Sequence, residues 1–527
     1  MAQPSSGWGS EVVEDTLHGH SCLMYARRPR DVSDVLDASA RWSDRVFLVR
    51  GERRVTFAQH RRAVQAVAAR LRADGVQEGD RVALYAANSA EWVVTFFAVI
   101  ALGAVAVPCN GWWSVSELEH ACGVVTPTVV VCDERRAERV PPRLRRIALA
   151  ELVTDDVWNA PAVGDDDRGV RDEDAPAVVL FTAGTTGFPK GAVLSHRALL
   201  ANLQTLLVVS RKLPHEIAED APASVTLVGL PLFHIGAIQL VLVPLMTGGR
   251  VVFLSGRFDP AEVLRLIDRE GVTMFSGVPT MMERLIRHPD AARGGYPTLR
   301  TIVLGGSPVS DELLERVSVT FPNSRRRIGR TYGLTEAGGV VSTGVGAQIA
   351  ERPGSSGRLA PVVEVRIADP DPDGAGEVLV RSPAAMDGYW GLPGDPTLDA
   401  DGWIHTGDVG HVDADRFLYI TGRRKDVIIR GGENVSAARV ETVLQEHPDV
   451  AEVAVIGLPD PDLGEVVAAV VVPADGADPA PDELERWAGS SLAHFAVPSR
   501  WWVRADALPV NEAGKVLKHR LAQEWPA

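Results

Sequence analysis

Short apolar stretches alternate, in the first third of the chain, with longer stretches whose apolar residues recur every three or four positions. The short stretches Arg81–Tyr85, Ala104–Pro108 and Thr128–Cys132 predict strands. Between them, Ser89–Leu102 and Ser114–Ala121 predict helices, the second opening with a Ser-x-x-Glu capping box. Strands that alternate with helices of this length favour a parallel sheet covered by helices on both faces.

The pattern changes near residue 363, where short alternating strands begin, and again after Gly422, where strands and helices mix over about a hundred residues. The sequence therefore predicts an α/β protein with two domains. The large N-terminal domain, residues 1–422, has mixed and parallel sheets covered by helices plus a small β-subdomain. The small C-terminal domain, residues 423–527, is α+β.

Two apolar runs are candidates for membrane spans. Residues 93–108 are too few and contain Gly103, whereas residues 225–246 contain two prolines, a histidine and a glutamine, which favour a buried strand, loop and helix. The polar N-terminus has no apolar core of a secretory signal. We therefore expect a cytoplasmic protein without a transmembrane segment.

The amino-acid composition argues against several classes of ligand and site. The chain has 527 residues, 46% of them hydrophobic, and Lys+Arg 54 against Asp+Glu 69 gives a net charge of −15. This balance argues against general binding of nucleic acid, so an anionic ligand needs a local site. The four cysteines are scattered and form no Cys-x-x-Cys pair, which excludes a zinc or disulfide framework.

The strongest local motif is Phe-Thr-Ala-Gly-Thr-Thr-Gly-Phe-Pro-Lys-Gly at 181–191, between a predicted strand, Ala177–Phe181, and a helix predicted from about Ser195. Its glycines permit a tight turn whose backbone N–H groups converge on an anion, and its hydroxyls and lysine add donors. The motif is not a P-loop. It predicts a polyphosphate site made by Thr182, Gly184, Thr185, Thr186, Gly187 and Lys190.

This segment resembles the phosphate-binding loop of the adenylate-forming superfamily, which comprises acyl- and aryl-CoA synthetases, luciferases and peptide-synthetase adenylation domains. Ala183 replaces the usual serine, which removes one hydroxyl donor. Further motifs follow in the family's order along nearly the whole chain.

Two of these motifs lie between residues 305 and 336. Residues 330–336 match the Tyr-Gly-x-Thr-Glu element. Tyr332 offers a flat face for adenine, Thr335 a hydroxyl for the α-phosphate, and Glu336 a carboxylate for the Mg²⁺ of ATP. By resemblance, Gly333 in the same motif also belongs to the nucleotide site. By resemblance, the adenine-side wall is Gly305, Gly306 and Ser307, after the predicted strand Thr301–Leu304.

Three motifs lie toward the C-terminus. The resemblance assigns Asp408 and Arg423 to the ribose, and Lys425 to the pivot of a mobile small domain. Lys515, in a Pro-x₄-Gly-Lys element, supplies a cation where a carboxylate meets the negatively charged α-phosphate. By resemblance, Gly431 and Gly432 line the thiol path in the second half-reaction.

The acyl pocket is expected at Ile235, Gly236, Thr280 and Met281, which carry no fixed charge and so disfavour an amino acid. His234 is either a buried core histidine or, by resemblance, a catalytic residue where the acyl pocket meets the thiol tunnel. Gly111-Trp112-Trp113 also looks like fatty-acyl-CoA ligases. Fatty, aryl and polycyclic natural-product acids all fit this pattern, so the pathway is either catabolic or biosynthetic.

The resemblance implies an acid–thiol ligase that uses ATP, Mg²⁺ and coenzyme A. It forms an acyl-adenylate and pyrophosphate, then a thioester and AMP, with Lys515, Lys190, Glu336 and His234 as catalytic residues. Two alternatives share the motifs: an enzyme that loads an acyl carrier protein, and a non-catalytic binding homologue. We expect a monomer or a homodimer.

Overall fold

A computed structural model describes residues 7–161, 172–182, 189–294, 296–424, 427–430, 433–460, 463–492, 494–511 and 514–526. In chain order the strands are β1 (Val12–Leu17), β2 (His20–Tyr25), β3 (Val46–Arg50), β4 (Arg53–Thr56), β5 (Arg81–Tyr85), β6 (Val105–Pro108), β7 (Val129–Cys132), β8 (Arg146–Ala148), β9 (Pro176–Thr182), β10 (Lys190–Ser195), β11 (Val225–Val228), β12 (Arg250–Phe253), β13 (Met274–Gly277), β14 (Thr301–Gly305), β15 (Ile328–Leu334), β16 (Gly339–Val345), β17 (Arg358–Leu359), β18 (Glu364–Ala368), β19 (Gly376–Arg381), β20 (Ile404–Val412), β21 (Leu418–Arg423), β22 (Val427–Arg430), β23 (Glu433–Ser436), β24 (Val450–Asp460), β25 (Gly464–Pro473) and β26 (Arg500–Val503).

The helices alternate with these strands through most of the chain. They are α1 (Ser33–Ala38), α2 (Phe57–Ala73), α3 (Ala90–Ala101), α4 (Val115–Val125), α5 (Glu134–Ala137), α6 (Leu149–Leu152), α7 (His196–Ser210), α8 (Ile235–Thr247), α9 (Pro260–Glu270), α10 (Pro279–Arg287), α11 (Asp311–Thr320), α12 (Ala347–Ala350), α13 (Ala437–Gln445), α14 (Pro481–Gly489) and α15 (Lys518–Gln523). No helix in these described ranges is both long and apolar enough to cross a membrane.

Two large sheets form the body of the protein. The first has the strand order β10-β9-β6-β5-β7-β8, parallel except for the β9–β10 hairpin. The second has the order β17-β16-β15-β14-β13-β11-β12-β3-β4, with a parallel centre from β15 to β3. The mixed and parallel α/β architecture predicted from the alternating pattern is therefore confirmed.

The main hydrophobic core lies between these two sheets. It combines residues of the first sheet, such as Leu84, with residues of the second, such as Phe47, and with helices α2, α3, α7 and α8. Because α3 is enclosed on nearly every side, almost all of its residues are buried, including Trp92 and Phe96. This explains why the run at 93–108 is so apolar without being a membrane span.

Two smaller sheets complete the fold. Strands β18-β19-β20-β21 form an antiparallel sheet, as the short alternating pattern predicted. Strands β23-β22-β25-β24, with β26 beside β25, form another sheet packed with α13 and α14. Strand β21 ends at Arg423 and β22, in the other sheet, begins at Val427. The change of sheet thus falls where the sequence predicts the domain boundary, which stays a prediction.

One local prediction was wrong. The motif at 181–191 predicts a loop followed by a helix from about Ser195, but β10 lies between the two and pairs with β9. Lys190 of β10 and Thr182 of β9 are directly opposite each other in the hairpin. The lysine is consequently held on a strand rather than on a loose turn.

Candidate active site

The candidate residues of the second sheet collect at one edge because its central strands are parallel. Strands β11, β13, β14 and β15 are neighbours, so their carboxyl ends share that edge. The segments that follow these ends are, in turn, 231–236, 278–281, 305–307 and 335–336. Topology therefore brings the predicted acyl-pocket residues next to the predicted adenine and metal residues.

A first group of side chains, the nucleoside-side cluster, consists of Tyr332, Asp408 and Arg423. The Tyr332 hydroxyl donates to Asp408 Oδ2 at 2.6 Å, and Arg423 Nε lies 2.8 Å from Asp408 Oδ1. Asp408 and Arg423 are directly opposite each other on β20 and β21. Three residues that come from separate motifs in the sequence are thus bound to one another.

The electrostatics of this cluster follow from its burial. The side chain of Asp408 is 6% exposed, and burial together with the Asp408 charge raises the pKa of Tyr332 well above its usual value. Tyr332 therefore stays a neutral donor at physiological pH. Each carboxylate oxygen has two lone pairs, so Asp408 keeps acceptor capacity for the hydroxyls of a ligand.

A second group, the phosphate-side cluster, consists of Lys190, Asp395, Tyr389 and Glu336. Lys190 Nζ lies 2.6 Å from Asp395 Oδ2 and 5.0 Å from the centre of the Tyr389 ring. The Tyr389 hydroxyl donates to Glu336 Oε1 at 2.8 Å. The cluster therefore links the predicted phosphate-binding lysine to the predicted metal ligand.

The chemistry of Glu336 fits a magnesium ion that arrives with ATP. Of its two carboxylate oxygens, Oε1 accepts the Tyr389 hydrogen bond, and Oε2 has no hydrogen-bond partner among the residues that the structure describes. Within those residues, no group of three or more histidine, cysteine or carboxylate side chains could hold a metal by itself. A single carboxylate suits Mg²⁺, which takes its remaining ligands from phosphates and water.

The segment that carries Lys515 lies against the edge of the second sheet. A Cβ added to Gly514 would lie 2.5 Å from Thr280 Oγ1 and 3.4 Å from a methyl of Val278. A Cβ added to Gly306 would also lie 3.4 Å from a Val278 methyl. Gly514 follows the change of sheet between Arg423 and Val427 in the chain. It nevertheless contacts Thr280 and Val278, which flank the predicted acyl pocket and adenine wall.

The turn before Lys515 is held by its own hydrogen bonds. The backbone N–H of Asn511 donates to the Lys515 carbonyl at 2.8 Å, and the Lys515 N–H donates to Asn511 Oδ1 at 2.9 Å. Gly514 has a φ of +76°, a conformation that favours glycine. The Gly-Lys pair is thus a built turn, and the Lys515 residue is exposed.

His234 precedes helix α8 and packs against Phe233, with ring centres 4.4 Å apart, while Phe233 in turn contacts Trp112. Its Nε2 atom is buried and has no partner among the described residues. Burial lowers the pKa of His234 to about 4. The histidine is therefore neutral at pH 7, which suits a wall that faces an apolar ligand.

Some predicted residues have a packing role as well. A Cβ at Gly305 would lie 2.5 Å from the carbonyl oxygen of Thr331 on the neighbouring strand, and a Cβ at Gly333 would overlap the carbonyl oxygen of Gly339. Close strand contacts therefore require both glycines, whatever ligand is bound. Several predicted residues lie outside the described residues: Gly184, Thr185, Thr186, Gly187, Lys425, Gly431 and Gly432.

Sequence reasoning missed Tyr389 and Asp395. Tyr389 follows a glycine in Met-Asp-Gly-Tyr-Trp, and Asp395 lies in Gly-Asp-Pro-Thr. Both segments have the composition of ordinary turns, and neither shows a period of helix or strand. Only the contacts with Lys190 and Glu336 identify them as part of the site.

Family models of known proteins match both the N-terminal and the C-terminal part of the chain. A family model described as AMP-binding enzyme matches residues 36–390, and one described as AMP-binding enzyme C-terminal domain matches residues 439–515. The first match alone covers more than half of the chain.

Individual relatives match over nearly their full length. A feruloyl-CoA synthase of Amycolatopsis sp is 39% identical over 499 residues, which are 92% of this chain and 97% of that protein. The fatty acid–acyl-carrier-protein ligase ScoC of Streptomyces coeruleorubidus is 35% identical over 492 residues, 90% of this chain and 92% of that protein. The crystal structure of ATP-bound MatB from Rhodopseudomonas palustris superposes with a TM-score of 0.82 and 29% identity, covering 93% of this chain and 99% of that chain.

Proposed function

Since the chain belongs to the AMP-binding enzyme family of adenylate-forming ligases, and is an acyl-CoA synthetase that uses ATP, Mg²⁺ and coenzyme A, we propose that it activates an apolar aryl or fatty acid. Activation gives the acyl-adenylate and pyrophosphate. Transfer to the thiol of coenzyme A then gives the thioester and AMP.

One observation carries this proposal: Gly514, next to Lys515, lies against Thr280 and Val278 at the carboxyl edge of the second sheet. A lysine that acts on an α-phosphate bound at the carboxyl edge of the second sheet has to lie beside that edge. The contact supports an arrangement suited to the first half-reaction, in which Lys515 lies beside the carboxyl edge of the second sheet.

In the first half-reaction, a carboxylate oxygen of the acid bonds to the α-phosphorus and the bond to the β-phosphate oxygen breaks. No general base is needed, because the acid is already ionised at pH 7. Lys515 and Lys190 offset negative charge at the reacting and departing oxygens, while the nucleoside-side cluster holds ribose and adenine. Glu336 holds Mg²⁺, which neutralises phosphate charge when bound.

In the second half-reaction, the thiol loses its proton to solvent, its sulfur bonds to the carbonyl carbon, and AMP leaves with the electron pair of the broken C–O bond. We propose that residues 423–527 rotate as a domain about Lys425 against residues 1–422, which withdraws Lys515 and brings Gly431 and Gly432 to the thiol path. We assign Thr182, Gly184, Thr185, Thr186 and Gly187 to the phosphates, as the resemblance implies.

The choice of an apolar acid is supported by the walls of the cleft. Gly236 is exposed, and a Cβ added there would meet no atom within 4 Å. Thr280 and Met281 add no charge, and His234 is neutral because its pKa lies at about 4. A feruloyl-CoA synthase is among the relatives, which makes an aryl acid the first class to test.

The acceptor is a separate question. We propose that free coenzyme A is the preferred acceptor, as in the name of the feruloyl-CoA synthase, and expect the reaction in the cytoplasm. A carrier protein is the alternative, because ScoC is named for that acceptor. Supplying the activated acid with coenzyme A or with a phosphopantetheinyl carrier protein separates the two by the thioester that forms.

The decisive experiment is ATP–pyrophosphate exchange across cinnamic, benzoic, medium-chain and long-chain fatty acids, with amino acids as a negative panel. Exchange with aryl or fatty acids alone would support the proposal, and exchange with none would contradict it. Lys515→Ala should lose exchange by at least about 100-fold yet convert pre-made acyl-adenylate to thioester. Equal loss of both steps would contradict domain alternation.

Lys518→Ala is the matched control for that variant. Lys518 lies, like Lys515, in residues 423–527, and its replacement by alanine removes the same positive charge. Its amine, however, pairs with Glu441 at 2.8 Å. We expect the exchange rate of Lys518→Ala to stay within about twofold of the unmodified enzyme.

A further inference from the structure

The segment 389–397, here called the bridging segment, is fastened to the strand that carries Lys190. The N–H of Trp390 donates to the Gly191 carbonyl at 2.7 Å, and Tyr389 forms an antiparallel bridge with Ala192. The start of the segment is therefore attached to β10 by backbone pairing. Two of its polar side chains, Tyr389 and Asp395, contact other members of the phosphate-side cluster.

Asp395 is held on both carboxylate oxygens. Oδ2 lies 2.6 Å from Lys190 Nζ, and Oδ1 accepts the Thr397 N–H at 3.0 Å. The side chains of Asp395 and Lys190 are 13% and 22% exposed, so water screens the pair only weakly. Although burial alone would raise the pKa of Asp395, its hydrogen bonds to Lys190 and Thr397 lower it. Asp395 is thus a fixed anion beside the lysine.

Tyr389 completes the connection. Its ring lies under the Lys190 amine, and its hydroxyl donates to Glu336 Oε1. Burial and the Glu336 charge raise the pKa of Tyr389, so the phenol stays a donor. The hydroxyls of Thr182 and Thr397 act on the same pKa in the opposite direction.

We propose that Asp395 and Tyr389 are positioning residues for adenylation, Asp395 holding the Lys190 ammonium and Tyr389 holding the Glu336 carboxylate before MgATP arrives. The proposal rests on the function proposed above, since it assumes that Lys190 binds the departing pyrophosphate. It adds two residues, on a segment without helix or strand, to those that the family resemblance assigns.

The physical reason is preorganisation. A lysine ammonium has three N–H donors, and Asp395 uses one, which leaves two for phosphate oxygens. Lysine also has four rotatable side-chain bonds, and fixing them costs conformational entropy that the free enzyme has already lost when Asp395 holds the amine. Tyr389 likewise fixes Oε1 of Glu336, which would leave Oε2 to accept a metal ion.

The test is steady-state exchange with Asp395→Asn, which keeps the shape of the side chain and removes its charge. We expect the KM values for pyrophosphate and MgATP to rise about tenfold, with the KM for the acid unchanged. Conversion of pre-made acyl-adenylate to thioester should be unchanged, because pyrophosphate has left by then. Asp395→Glu should recover part of the loss, since it restores the anion.

Two further variants separate positioning from folding. In a Lys190→Ala background, Asp395→Asn should change exchange by less than about twofold, because its partner is already missing. Glu364→Gln is the control: it breaks a half-buried pair with Arg381, at 2.8 Å and of similar exposure, in the small antiparallel sheet. Its KM values should match those of the unmodified enzyme.

Tyr389→Phe keeps the ring under Lys190 and removes only the hydroxyl. We expect the Mg²⁺ concentration for half-maximal exchange to rise about threefold to fivefold, with the thioester step unchanged. Unchanged or lower KM values for pyrophosphate in Asp395→Asn would overturn the proposal, since a lower value means that Asp395 competes with phosphate. Failure of the proposed function would be different, because the unmodified enzyme would then show no exchange with any acid.

Discussion

The nucleoside-side and phosphate-side clusters both hold carboxylates with a phenol and a cation. In the first, Tyr332 and Arg423 share the carboxylate of Asp408, whereas in the second Tyr389 holds Glu336 and Lys190 holds Asp395. They differ in how the chain assembles them. In the first, Asp408 and Arg423 are register partners on adjacent strands, and Tyr332 lies on β15. In the second, the connections to Lys190 and Glu336 run through the bridging segment, which has no helix or strand.

This difference explains why one cluster is visible in the sequence and the other only in part. The pairing of two strands fixes the distance between residues that lie opposite each other. Each motif therefore has to supply only its own side chain. The bridging segment instead depends on a turn whose path is set by hydrogen bonds to β10. The comparison also separates the two half-reactions, because AMP is present in both of them and pyrophosphate only in the first.

The largest effect should come from Asp408→Ala. It removes the carboxylate that Tyr332 and Arg423 share, and we expect about a 100-fold loss in both half-reactions, because the nucleotide is bound in each. Pyrophosphate exchange measures the first half-reaction, and thioester formation from pre-made acyl-adenylate measures the second.

Glu336→Gln is the matched variant on the phosphate side. It should impair exchange by a similar factor and leave the thioester step within about twofold. If Asp408→Ala impaired exchange alone, or if Glu336→Gln impaired both steps, the division of labour between the clusters would be wrong.

A smaller effect is expected from Gly514→Ala, which tests the contact that brings Lys515 to the cleft. The added Cβ would lie 2.5 Å from Thr280 Oγ1, and φ at this position is +76°. The turn must shift, so exchange should fall about tenfold while thioester formation is kept. Gly476→Ala has the same backbone strain, with φ of +78°, but no atom within 4 Å, and should leave exchange unchanged. Equal losses in the two variants would mean that strain, not the contact, matters.

Tyr332→Phe should have a modest effect. The ring is retained for stacking, and only the 2.6 Å hydrogen bond to Asp408 is lost. We expect the KM for ATP to rise about threefold to fivefold and the affinity for acyl-adenylate to fall by a similar factor. An effect on pyrophosphate binding alone would place Tyr332 with the phosphate-side cluster instead.

The smallest effect on activity is expected at His60, a buried polar group without the partners that both clusters have. Its ring lies between Phe47 and Phe97, with both nitrogens unpartnered among the described residues. Burial lowers the pKa of His60 to about 3. The unfolded chain binds a proton at the ordinary pKa of about 6.5, so stability is lost as pH falls below that value.

At pH 5, the binding of that proton by the unfolded chain lowers the free energy of unfolding by about 2 kcal/mol. His60→Phe should therefore keep full activity and lose less thermal stability than the unmodified protein between pH 7.5 and pH 5. Melting temperatures at both pH values, measured by calorimetry, check this. Parallel losses in the two proteins would contradict a neutral buried histidine.

Much of the fold was predictable because apolar periodicity reports burial directly. Strand β5 has its predicted bounds, Arg81–Tyr85, and the capping box at Ser114 and Glu117 is formed. Strand β10 was missed because its residues follow a glycine-rich motif that is typical of a loop. The resemblance identified Tyr332, Asp408 and Arg423 one by one, and the structure joins them.

By itself, the sequence determined the alternation of strands and helices, the family and the residue types available for charge neutralisation, because these depend on local pattern and motif. Only the tertiary structure decided which groups meet: Asp395 with Lys190, Tyr389 with Glu336, and Gly514 with Thr280. Residue pairs so far apart in the chain are brought together by sheet order and by backbone hydrogen bonds, and no local pattern of side chains encodes such distances.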